Sequence, residues 1–179
     1  MTLRKSLLGM IAVLALASPA SAALKPGARA PDFVTTGALA GKPFQLHLKR
    51  ELRKGPVVLY FYPKAFTKGC TLEARAFSEA MPEFRKAGAQ VIGLSADDLP
   101  TLKRFSVEGC RSAFPVATAT PATIKAYDVS MPVVGKLKTM SNRTSYVIAR
   151  NGRITLVHSD LDWSEHVGKT LAAVRALKK

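Results

Sequence analysis

Pro63, Thr67 and Cys70 share one short stretch, Pro63-Lys64-Ala65-Phe66-Thr67-Lys68-Gly69-Cys70. A thiol, a hydroxyl three residues before it and a proline without an N–H suit nucleophilic sulfur chemistry. The thiolate attacks, the hydroxyl points at the same place, and the proline ring walls the site against water. Cys70, Ala74, Phe77, Met81 and Phe84 recur at spacings of 4, 3, 4 and 3, one face of a helix over Cys70–Lys86. Cys70 therefore sits in the first helical turn, where free N–H groups and the positive dipole end favour an anionic sulfur. Its apolar stripe-mates put the sulfur at the bottom of a pocket, with Lys64, Lys68 and Arg75 close by.

Around this stretch the chain alternates strands and helices. Val57–Tyr62 is an unbroken β-branched and aromatic run, as expected of a strand buried on both faces, and Pro63 stops it. Ala23–Ala30 reads as an extended lead-in closed by Pro31, Pro43–Leu48 as a short strand and Glu51–Gly55 as a charged connector. Gln90–Ser95 follows as a strand, and Leu99–Glu108 as a helix with Gly109 placed for a left-handed end. Phe114–Ala117 is a strand, Ala122–Tyr127 a helix and Met131–Met140 a basic loop. Thr144–Ala149 and Ile154–His158 flank Asn151-Gly152, a strong hairpin signal. Ser164–Leu177 closes the chain as a helix with Ser164 as its N-cap. This order predicts an α/β protein of thioredoxin-like fold, a mixed central sheet with helices on both faces.

The 179 residues are 47% hydrophobic and 22% charged, proportions that exclude a disordered chain, a collagen and a disulfide-dense scaffold. Residues 1–22 combine Arg4-Lys5, the apolar run Leu7–Ala17 and small residues before Ala22, the layout of a cleavable export signal. Residues 23–179 then form a single exported domain, with a Gram-negative periplasm as its setting. The chain carries a net +15 in total and +13 beyond Ala22. That charge is spread along the chain without a nucleic-acid motif, so it reads as a basic surface; an acidic reductant or an anionic membrane is a compatible partner.

The spacing Pro-x-x-x-Thr-x-x-Cys after an aromatic strand resembles the active-site signature of peroxiredoxins, and most closely the bacterioferritin comigratory protein or peroxiredoxin Q branch. Ala30-Pro31-Asp32-Phe33, Tyr60-Phe61-Tyr62-Pro63-Lys64, Val91-Ile92-Gly93-Leu94-Ser95, Phe114-Pro115 and Arg143-Thr144-Ser145-Tyr146-Val147-Ile148 match in order, over roughly residues 24–177. The resemblance implies a peroxidase in which Cys70 attacks hydrogen peroxide or an organic hydroperoxide and becomes a sulfenic acid. It implies that Thr67 holds the peroxide, Pro63 shields the site and Arg143 supplies a cation. It further implies a thiol reductant, a thioredoxin-like protein or a small thiol, and a monomer or homodimer. No cofactor or metal is implied. Lowering a cysteine pKa from about 8.5 to about 6 raises the thiolate fraction at pH 7 only about 30-fold. Most of the rate must therefore come from groups that stabilise the breaking O–O bond.

Many members of that branch carry a resolving cysteine five residues after the first; here that position is Arg75. Cys110, the one other cysteine, is the candidate resolving thiol. The competing readings are a permanent disulfide closing a loop of about 41 residues, worth roughly 4 kcal/mol, and an inert Cys110 with an external thiol resolving Cys70. His158, Asp160, Asp162, Glu165 and His166 are ligand-type residues, but they straddle a strand end, a loop and a helix start, so no metal site is assigned. The alternative function is a thiol/disulfide exchanger or a copper-delivery protein of the cell envelope. The lack of Cys-x-x-Cys counts against the first and the lack of soft ligands near Cys70 against the second.

Overall fold

Successive side chains of Val57–Phe61 enter opposite cores: Val58 and Tyr60 one, Val57, Leu59 and Phe61 the other. This is why the segment is apolar at every position rather than alternating. A computed structural model describes residues 23–131 and 140–177, so the expected signal segment and most of the basic loop after Met131 lie outside the described residues. The elements are β1 (Val34–Leu39), β2 (Lys42–His47), α1 (Leu48–Lys54), β3 (Val57–Phe61), α2 (Lys68–Lys86), β4 (Gln90–Ser95) and α3 (Leu99–Glu108). They continue with β5 (Val116–Thr118), α4 (Pro121–Ala126), β6 (Ser130–Met131), β7 (Met140–Ser141), β8 (Thr144–Ile148), β9 (Ile154–Ser159) and α5 (His166–Ala176).

Seven strands form one sheet in the order β2-β1-β5-β4-β3-β8-β9. β3, β4 and β5 run parallel, while β8 lies antiparallel to β3 and β1 antiparallel to β5. Core residues of α2, α3 and α5 pack on one face, those of α1 and α4 on the other. The mixed, doubly covered sheet is the expected architecture. The β8–β9 hairpin turns through Gly152, whose φ of +79° suits glycine. All five stripe residues of α2 are buried.

Several expectations need correction. β1 was not legible because Thr35, Gly37 and Ala38, its buried residues, are small and leave no hydrophobic period. The supposed connector Glu51–Gly55 is mostly helix: Leu48 and Leu52, four apart, anchor α1 in the core. Gly109 is right-handed (φ −82°, ψ −52°); the left-handed residues are Arg111 and Ser112. Ser164 is no cap, since α5 starts at His166 behind Glu165 and the Ser164 N–H donates to Asp162 at 3.0 Å. The ends of the expected loop, Ser130–Met131 and Met140–Ser141, pair as a short ladder.

Candidate active site

The chain leaves β3 at its C-terminal end and enters α2 after six residues, 62–67. That loop is held from three sides. The Ala65 N–H donates to the Asp97 carboxylate at 2.7 Å, and the Ser141 hydroxyl donates to the Tyr62 carbonyl at 2.9 Å. Phe66, left-handed at φ +65°, places its ring edge-on to Phe105 of α3, with Arg104 5.0 Å from its centroid. Thr67 is the N-cap position, and Cys70 is the third residue of the helix. Its side chain is buried, 2% exposed, with Pro63 half-buried beside the same loop.

The cation at the sulfur comes from far along the chain. Arg143 stands just before β8, on the strand beside β3, and its guanidinium forks three ways. Nη2 donates to Cys70 Sγ at 3.6 Å, Nη1 to the Glu73 carboxylate and Nε to the Leu161 carbonyl at 2.9 Å. Gly69 makes room for it: a Cβ there would lie 3.2 Å from Nη2. Lys64, Lys68 and Arg75, which the sequence puts near the thiol, are all exposed. The Thr67 hydroxyl is exposed and donates to the Lys64 carbonyl at 3.0 Å. Its proton is thus directed away from the sulfur, and its lone pairs stay available to accept from a bound O–H.

Behind Arg143 lies a buried polar group the sequence reading did not single out. Glu73, one helical turn after Cys70, has no exposed surface. Burial pushes its carboxyl up to about 8, against the opposing pull of Arg143. Its Oε1 has no hydrogen-bond partner and lies 3.7 Å from Nδ1 of the fully buried His166. Burial holds that imidazole down to about 4. For Arg143, burial favours the neutral form, but Glu73 and Cys70 outweigh it and hold the guanidinium charged more firmly than usual. The visible signal was the Cys-x-x-Glu spacing, which sets an acid beside an apolar stripe.

Cys110 follows α3 and shares the apolar cluster that holds Cys70, Tyr60, Tyr62 and Phe105. Both cysteines are free thiols. Cys110 is wholly buried, and burial pushes its thiol well above the usual range. Ser78 of α2 donates between two carbonyls, those of Ala74 (2.7 Å) and Cys110 (2.9 Å), so α2 and the Cys110 turn are tied together. One concavity, about 350 Å³, lies elsewhere: it includes Leu48 and Gly152, at the end of the sheet away from Cys70.

A thioredoxin-like sheet thus carries a buried cysteine at the first turn of the helix after β3, with an arginine on its sulfur. The AhpC/TSA family model matches residues 26–157, and the chain belongs to that family. A chloroplastic peroxiredoxin Q of Oryza sativa is 34% identical over 123 residues, 68% of this chain and 55% of the relative, so this chain spans little more than half of that plant protein. The peroxidoxin BcpB of Mycobacterium tuberculosis superposes with a TM-score of 0.75 at 32% identity, covering 87% of this chain and 99% of that one. The peroxiredoxin Q of Xanthomonas campestris gives 0.66 at 30% identity, over 80% and 91% of the two chains.

Proposed function

We propose that the protein is a thiol-dependent peroxidase, a peroxiredoxin in which Cys70 is the peroxidatic residue. The observation that carries this reading is the guanidinium of Arg143 on the buried sulfur, in the first turn of a helix whose N-cap Thr67 makes no side-chain cap bond. The Cys70 thiolate attacks one peroxide oxygen, the O–O bond breaks, and the departing oxygen takes a proton to leave as water or alcohol. Sulfur is left as sulfenic acid. Arg143 stabilises the charge that shifts from sulfur to the leaving oxygen, Thr67 accepts a hydrogen bond from the bound peroxide, and Pro63 limits water. The Cys110 thiol then attacks the oxidised sulfur, releasing water and forming a disulfide. A thioredoxin-like protein or a small thiol reduces it.

The protein works outside the cytoplasm, exported by residues 1–22, with the periplasm as its compartment. Ala23 and Leu24 pack on the core that holds Val57, Leu59 and Phe61, and the Leu24 N–H donates to the Tyr146 hydroxyl, which supports a mature domain starting at Ala23. The test is consumption of hydrogen peroxide and cumene hydroperoxide by metal-free protein with dithiothreitol. Loss in Cys70→Ser and retention after chelation support the assignment. A wild-type protein that consumes neither peroxide overturns it, as it would for an exchanger or a copper carrier.

A further inference from the structure

Glu73 and Cys70 both lie against one guanidinium in a dry interior. If both were anions, two negative charges would share one cation and the site would carry an uncompensated charge. The carboxyl has a second neighbour that resolves this. His166 Nε2 lies 3.0 Å from the Asp160 carbonyl, which can only accept, so Nε2 carries a proton. Its Nδ1 therefore presents a lone pair when the ring is neutral. Nδ1 faces Glu73 Oε1 at 3.7 Å and the Ser145 hydroxyl at 2.8 Å. An ionised carboxylate would set lone pair against lone pair at 3.7 Å. One additional proton removes that conflict, and Ser145 satisfies Nδ1 either way, donating to a neutral ring or accepting from a charged one.

We propose that His166 is a positioning residue of the peroxide site: with Glu73 it retains one proton, which leaves the charge of Arg143 for the Cys70 sulfur. This rests on the peroxidase reading. The two carboxyl oxygens face different partners, since Oε2 accepts from Arg143 and orients it while Oε1 meets His166. The perturbed ionisations agree, since Glu73 is held up to about 8 and His166 down to about 4, which places the shared proton on the carboxyl. The groups facing the pair come from every neighbouring element. They are Cys70 on α2, Arg143 before β8, Tyr60 on β3, and His158 on β9 with its ring 4.5 Å from that of His166. Asp160 and Asp162 lie on the loop before α5, and Lys169, on α5, is 3.5 Å from His158. His158 and Arg143 oppose a charge on His166, whereas Asp160 favours one. The consequence is an alkaline limit: once the pair loses its proton, ionised Glu73 competes with Cys70 for Arg143, and peroxide attack slows although more thiol is ionised in solution.

The full-length protein serves for the test. Infrared difference spectra in D₂O should show a protonated carboxyl band at pH 7 that vanishes near pH 8 and is missing in Glu73→Gln. In ¹⁵N-histidine NMR the His166 ring should shift over the same pH range. The second-order rate of peroxide attack, followed by Trp163 fluorescence, should fall above that pH in the wild type and not fall in Glu73→Gln. In His166→Gln, which removes the lone pair facing Oε1, the fall should begin at a lower pH than in the wild type, by up to about one unit. No carboxyl band in the folded wild type, an unmoved His166 resonance, or an alkaline fall that survives in Glu73→Gln overturns the proposal. Neither spectroscopic readout needs peroxide, so a protein inert to peroxide that still shows the band refutes the peroxidase reading and not the shared proton.

Discussion

Arg143 and Cys70 are 73 residues apart in the chain and 3.6 Å apart in space. The strand pairing of β8 on β3 brings them together, since Thr144 sits opposite Phe61 at the end from which the Cys70 loop departs. The fork then fixes the cation's direction through Leu161 and Glu73. Lysine carries the same charge but cannot reproduce three divergent donors in a plane. Arg143→Lys is expected to lower the second-order rate with peroxide by at least about tenfold, and Arg143→Gln by about a hundredfold or more. The Gln substitution also strands a buried acid, so its rate should be measured in a Glu73→Gln background as well. Stopped-flow fluorescence gives both values.

In the proposed reaction Thr67 acts through its lone pairs, because its proton is committed to the Lys64 carbonyl. Thr67→Ser keeps that arrangement and should stay within about threefold of the wild-type rate. Thr67→Val removes the acceptor and should cost about tenfold to a hundredfold. The iodoacetamide alkylation rate of Cys70, which reports thiolate but needs no O–O cleavage, should change far less in Thr67→Val. Equal losses in both assays would mean that the hydroxyl serves the thiolate alone.

The alternation of strands and helices was legible because β3, β4, α2 and α3 announce themselves by continuous or 3.6-periodic apolar residues. The position of Cys70, buried at a helix start, was legible because its cues are local: helix start, proline and threonine lie within a few residues. The groups that complete the site are not local. Glu73 was not singled out: its spacing from Cys70 sets it beside the apolar stripe, but nothing local told that His166 of α5 would face it. Ser145 sat unread inside a buried strand. His166 itself was weighed as a metal ligand, because residue type was visible and direction was not. Gly69 escaped notice because its reason is an arginine from the far half of the chain. The weak spots of the fold reading, β1 and α1, share one cause: few or small apolar residues, stabilised by tertiary contacts rather than by pattern.

The buried pair also makes stability depend on pH, with opposite signs for its two members. Folded His166 titrates near 4, below its ordinary 6.5, so it adds stability as pH rises between those values. Folded Glu73 titrates near 8, above its ordinary 4.5, so the folded state binds the extra proton and stability falls as pH rises from 4.5 to 8. The two offset each other up to about pH 6.5. From there to pH 8 only the loss remains, about 2 kcal/mol from Glu73 alone. Urea denaturation at pH 6.5 and 8 should therefore show a decline in the wild type that is absent in Glu73→Gln. Parallel curves for the two proteins would place an ionised carboxylate in the folded state.

Resolution by Cys110 requires movement, because that thiol is wholly buried behind Phe105 and its carbonyl is latched by Ser78. The turn after it is strained: Arg111 and Ser112 are consecutive left-handed residues, a conformation that favours glycine. Ser112→Gly relieves that strain without touching either sulfur, so it should stabilise the closed turn and slow disulfide formation several-fold while peroxide attack keeps its rate. With one equivalent of peroxide, the wild type should lose two hydrogens in mass and migrate faster on a non-reducing gel. Cys110→Ser should instead hold a sulfenic acid on Cys70 that dimedone traps, and should pass to sulfinic acid at lower peroxide doses. A wild-type protein that dimedone labels as fully as Cys110→Ser would show that Cys110 is inert, and that an external thiol completes the cycle.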